Sequence, residues 1–174
     1  MEKSLIVQKS RLDRYIEISK MPEVLKIYSQ TEKYIIQAGI NKSIIEIDES
    51  EFVEKISIIL EFIFVDLGIK ERHNKAEITY SATRFVDVLK KHFSGLTIQD
   101  IKLAFELLEV GGLDEYLPKR DGKADREHYQ SFNVKFYTKV LNAYKSYKEN
   151  IFGKGQRELF KLKQSSINYI SLEQ

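Results

Sequence analysis

Between Leu96 and Asn150 the chain carries two long helical patterns separated by a double glycine and a charged connector, which leaves room for little but packed helices. In the first pattern, Thr97 stands as an N-cap with Asp100 three residues on, the arrangement in which side chain and backbone satisfy each other's open hydrogen bonds. Ile101, Leu103, Ala104, Leu107 and Leu108 then recur at helical spacing through Val110. Gly111-Gly112 closes the helix, because glycine enters the left-handed region without a side-chain penalty. In the second, Asn133 caps a helix over Val134–Glu149 whose Val134, Tyr137, Val140, Leu141, Tyr144 and Tyr147 share a face.

The remaining segments follow the same logic. Ser4 to Ile18 places Leu5, Leu12, Tyr15 and Ile16 near one face. Pro22 suits the first turn of a further helix through Tyr28, and Ser29 or Thr31 can cap the next, with Glu32 three residues after Ser29 as a capping-box pattern, leading to a stop at Gly39. Ile40–Ile47 is rich in β-branched residues, but with no convincing partner strand nearby it reads as loop. Asp48 caps an acidic first turn, and Phe52, Ile56, Ile59, Leu60, Ile63, Phe64 and Leu67 follow at helical spacing. Ile58, Phe62 and Val65 add a second apolar face, so this helix is expected to be central and covered on several sides. A charged loop, IKERHNKAE, precedes a helix from Thr79 to Phe93 with Phe85, Val88, Leu89 and His92 or Phe93 inward. The segment Leu117–Gln130 reads as a long, charged surface loop, and Gly153 and Gly155 as breaks before a basic C-terminal segment.

Composition removes several classes of function. With no cysteine among 174 residues, disulfides, thiolate metal sites and cysteine nucleophiles are excluded. The apolar run near the N-terminus is too short for a secretory signal, and Ile56–Val65 is interrupted by Ser57 and Glu61 and too short for a membrane span. These features predict a cytoplasmic, soluble protein with no membrane partner. His73, His92 and His128 lie in three segments without ligand spacing. Asp121 and Asp125 lack the further acidic positions of a calcium loop. Neither Gly111-Gly112 nor Gly153-Lys154-Gly155 has the spacing of a phosphate loop. No cofactor is expected, and the chain reads as a binding protein, not an enzyme.

Charge is unevenly distributed. From Glu46 to Asp66 there are seven acidic residues and one basic one, Lys55. Helix capping explains much of this bias. From Lys139 to Lys163 there are seven basic residues against Glu149 and Glu158. Lys139, Lys145, Lys148, Lys154, Arg157, Lys161 and Lys163, interleaved with Tyr144, Tyr147, Phe152 and Phe160, form a candidate nucleic-acid surface of cations for phosphates and rings for stacking. The tyrosines fit a core stripe better than a stacking platform, leaving the lysines to face water. Lys119, Arg120, Lys123 and Arg126 are a second set of cations, nearly cancelled by Asp121, Asp125 and Glu127.

The runs LTIQDIKLAFELLEVGGL and HYQSFNVKFYTKVLNAYKSY resemble a pattern in small helical replication proteins of Bacteroidetes-type bacteria and their phages, of the helicase-loader or replisome-organiser kind. Leu96, Thr97, Ile98, Asp100, Ile101, Lys102, Ala104, Phe105, Tyr129, Leu141, Ala143 and Tyr144 carry it, over about a third of the chain. The resemblance implies a replication accessory protein that binds DNA and a helicase or initiator. The alternative is a virion component or a host-factor-binding protein with no nucleic-acid role, docking through the acidic 46–66 segment or the aromatic C-terminus.

The expected architecture is all-α: a single-domain bundle of six or seven helices over residues 1–152, with Asp48–Leu67, Thr97–Val110 and Val134–Glu149 supplying the core, and a basic segment and tail over 153–174.

Overall fold

Polar caps open five of the helices, each by accepting a hydrogen bond from a backbone N–H that the first turn leaves open. In the computed structural model, which describes residues 10–68, 75–128 and 131–172, the caps are Ser10, Ser29, Asp48, Thr97 and Asn133. They introduce α1 (Arg11–Ser19), α3 (Gln30–Ala38), α4 (Glu49–Asp66), α6 (Ile98–Glu109) and α7 (Val134–Leu172). Pro22 opens the short α2 (Pro22–Leu25), and α5 spans Lys75–His92. The chain is thus all-α, with seven α-helices among the described residues. The start of the expected Ser4–Ile18 helix, residues 69–74 of the charged loop, His73 and Tyr129 lie outside those residues.

The contacts divide the chain into two compact units, Asn41–Glu149 and Met1–Ile40 with Asn150–Gln174. This partition differs from the expected 1–152 body with a 153–174 tail. Residues 10–40 belong with the segment that follows Asn150 because both contribute to one small core. There α1 packs on α2 and α3, and Tyr15, Ile18, Val24, Tyr28, Ile35, Ile36, Ile151 and Leu159 are buried.

Glycine does not break α7. The helix runs through Gly153 and Gly155, and at Gly155 the reason is close packing. A Cβ there would collide with Tyr28 Oη and stand 3.0 Å from Ile18 Cδ1. Tyr28 Oη donates to Ile151 O at 2.9 Å. Burial, reinforced by the nearby Glu32 carboxylate, pushes the Tyr28 hydroxyl from its usual 10.0 up to about 12. As pH rises through this window the unfolded chain releases the tyrosine proton while the folded chain retains it. The stability present below pH about 10 is therefore expected to decline between about 10 and 12. Alkaline denaturation of wild type and Tyr28→Phe checks this; equal slopes for the two would refute it.

In the Asn41–Glu149 unit, α4 packs on α5 and α6. The core is rich in rings. Phe85 and Tyr137 are 4.9 Å apart by centroids, Phe85 and Phe132 5.1 Å, and Phe64 and Phe132 5.2 Å, with edge-to-face geometry in all three. Phe93 is buried, while its neighbour His92 points outward. The segment 40–47, expected to be loop, contains a 3-10 turn, Ile44–Glu46, and a bridge between Ser43 and Thr97. Part of the expected charged loop is a small hairpin, β1 (Lys119–Arg120) paired antiparallel with β2 (Lys123–Ala124). Asp121 at φ 51° and Gly122 at φ 78° make the turn, the Asp-Gly pair that tight hairpins favour.

Candidate docking face and the placement of the basic residues

The seven cations proposed from sequence meet different fates. Lys148 is the clearest correction: it is 3% exposed and lies in the core of the Asn41–Glu149 unit. Its Nζ reaches both carboxylate oxygens of Asp100 at 2.6 and 2.5 Å, and Tyr144 Oη donates to the same carboxylate at 2.7 Å. Asp100 also accepts from Thr97 N at 2.9 Å, completing the capping box from inside the protein. Capping and core formation thus converge on one carboxylate, and Lys148 neutralises the charge that burial would otherwise leave unpaired. It cannot contact phosphate.

Lys139 is held at 2.9 Å from Asp125 and donates to Glu127 O at 3.0 Å, with little of its side chain exposed. Its hydrogen bond holds the Asp125 carboxyl below the usual range. Lys154 donates to Ile27 O at 2.8 Å, approaches Glu32 at 3.4 Å and lies 5.1 Å from the centre of the Tyr28 ring. Lys161 pairs with Glu158 at 3.2 Å and Lys163 with Glu17 at 2.5 Å. Lys145 and Arg157 are exposed. Three of the seven therefore carry an acidic partner at the surface, Lys139 carries one while largely covered, and Lys148 is buried against its partner. Two of the loop cations are also engaged: Arg126 pairs with Asp114, and Lys119 donates to Asp114 O at 2.6 Å.

A different surface emerges on α4. Its inner face buries Phe52, Ile56, Ile59, Leu60 and Ile63 as expected. The expected second buried face does not form: Ile58, Phe62 and Val65 are 49%, 59% and 78% exposed. At about 100° per residue, the three lie within roughly 60° of arc and form one row along the helix. Glu54 and Glu61 fall on one side of the row and Asp66 on the other. All three acids are exposed, and none has an ion-pair partner among the described residues. Glu51 is paired with Lys55 at 2.6 Å, so the acids beside the row are not offset by the one lysine of this helix. Beside the row, an open cleft of about 200 Å³ lies between α4 and α6, lined by Ile59, Phe62, Ile63, Asp66, Lys102, Phe105 and Glu106.

Sequence reasoning missed this row because apolar periodicity reports which residues share an arc, not whether another element covers it. The available signal was that the helix has two separate apolar arcs with acids between them.

Among the described residues no His, Asp and Glu side chains assemble into a group that could hold a metal ion. No helix there is long and apolar enough to cross a membrane. The chain matches no protein-family model, no curated protein and no solved structure.

Proposed function

We propose that this chain is a non-catalytic interaction protein that holds a protein partner on the outer face of α4. The observation that carries this reading is the exposed row Ile58, Phe62 and Val65 beside an open cleft. A solvated helix face ordinarily presents polar side chains, and clustered large apolar groups bounded by charge mark a contact surface. The reading serves the virion or host-factor alternative directly. It serves equally the partner-recruiting half of a replication accessory protein, the role implied by the resemblance over 96–150.

Direct nucleic-acid contact is a second reading, favoured by one observation. Lys154, Arg157 and Lys161 occupy a common arc of α7 in the unit that has eleven basic against seven acidic residues. The other unit has seventeen basic against nineteen acidic residues. The ion pairs to Glu32 and Glu158 weaken this reading, because phosphates must displace them.

One experiment with two arms separates the readings. A photo-crosslinking residue at position 62 is expected to give a discrete protein adduct in lysate of the source cells. Unmodified chain should compete that adduct away, whereas Phe62→Ser chain should not. Equal competition by the two would remove α4 from the reading. In the second arm, DNA binding is measured across a salt series, where each phosphate contact adds roughly one unit of slope. Loss of about two units on replacing Arg157 and Lys161 would establish the nucleic-acid reading; absence of binding at low salt would end it.

A further inference from the structure

We propose that the occupant of the α4 face is a cationic amphipathic helix of the partner, an inference that rests on the docking reading above. The row is narrow and straight: from Ile58 to Val65 it rises about 10 Å along the helix axis, roughly two turns. A row of that kind is matched by a second helix laid alongside with its own apolar residues at i, i+3 or i+4, and i+7. The cleft between α4 and α6 supplies what a flat face lacks, a recess beside Phe62 that takes one leucine-sized anchor.

The charges specify the sign of the partner. Glu54, Glu61 and Asp66 flank the row without ion-pair partners among the described residues. The cation in the cleft wall, Lys102, is 3.5 Å from Glu106. A helix with lysine or arginine on either side of its apolar stripe would set cations against these acids; an acidic helix would meet repulsion along its length. The same rim argues against a second copy docked through the same face, since a two-fold contact would bring like charges together. It also rejects a polyanion. An extended peptide is disfavoured because α4 offers no free strand edge to pair with.

The test uses the full chain and synthetic helical peptides. A leucine/lysine peptide patterned as an amphipathic helix is the probe. A scrambled peptide of the same composition and a leucine/glutamate peptide with the same pattern are controls. Fluorescence anisotropy should show binding of the leucine/lysine helix alone. Phe62→Ser, an exposed position, should leave the melting temperature unchanged and weaken binding about tenfold or more, as loss of a central apolar anchor does. Glu54→Gln with Glu61→Gln should weaken it several-fold and flatten its salt dependence. Comparable binding of the leucine/glutamate or scrambled peptide, or indifference to Phe62→Ser, would overturn the proposal. So would sedimentation as a dimer that Phe62→Ser dissociates, because the occupant would then be a second copy. If the peptides fail while the position-62 adduct is still competed specifically, the docking face stands and only its cationic helical occupant is lost. If both fail, the docking reading falls with it.

Discussion

Lys148→Ala is expected to destabilise the Asn41–Glu149 unit by about 3–5 kcal/mol, the range for removing one partner of a buried ion pair. The size follows from burial on both sides: the Lys148 side chain is 3% exposed and that of Asp100 0%. Without the ammonium, Asp100 keeps the hydroxyl of Tyr144 and the N–H of Thr97, but those dipoles do not neutralise a buried carboxylate. Replacing both charges together, Asp100→Asn with Lys148→Met, should recover most of the loss. The amide can still accept from Thr97 N, and methionine fills the lysine's volume. Urea denaturation of the two singles and the double gives the coupling. A loss below about 1 kcal/mol in Lys148→Ala would mean that water reaches the pair and that Lys148 is a surface cation after all. The loss should also vary little with salt, because buried pairs are poorly screened.

Two glycines of α7, two residues apart, should respond to alanine with opposite signs. At Gly153 an added Cβ would find only Arg157 Nη1 at 3.5 Å, the end of a flexible side chain. Gly153→Ala should therefore stabilise by up to about 1 kcal/mol, the ordinary gain from replacing glycine inside a helix. At Gly155 the methyl would collide with Tyr28 Oη, with Tyr28 Cζ 3.3 Å and Ile18 Cδ1 3.0 Å away. Relief requires moving a ring that holds Ile151 O through its hydroxyl. Overpacking of this kind costs about 1–3 kcal/mol, and the displaced hydrogen bond adds about 1. Set against the helix-propensity gain, Gly155→Ala should lose about 2 kcal/mol net. Adding Tyr28→Phe removes the colliding oxygen and should recover part of that loss, which a double-mutant cycle would register. Equal behaviour of the two glycines would show that the α1–α3 core does not press on α7 at Gly155.

The legible parts of the fold were those set by local chemistry. Ser29 with Glu32, Asp48, Thr97 with Asp100 and Asn133 begin helices where their capping geometry required it, because each satisfies backbone groups within a few residues of itself. The inward faces of α4, α5 and α6 followed from periodicity for the same reason. Where the expectations departed from the structure, the deciding partner was remote in sequence. Asp100 reads only as the partner of Thr97 in a capping box until Lys148, forty-eight residues later, is placed on it. Gly155 reads as a breaker until Tyr28 fills the space that a methyl would occupy.

The candidate site was less legible than the fold. The seven cations from Lys139 to Lys163 stand out in the sequence by type and density, but pairing with Asp125, Glu32, Glu158, Glu17 and Asp100 decides how much charge they present. None of those acids belongs to the basic stretch except Glu158. Ile58, Phe62 and Val65 pose the inverse case: their type suggested burial, and the fold leaves them exposed.

By itself, then, the amino-acid sequence determined an all-α chain, most of its helix starts and one buried face of each central helix, since these depend on hydrogen bonds and apolar spacing within a few turns. Tertiary structure decided which charges are spent on one another, which glycine is a contact instead of a stop, and which apolar arc of α4 remains uncovered. Those outcomes depend on groups that only folding brings together, and they determine which charged and apolar groups the chain leaves exposed.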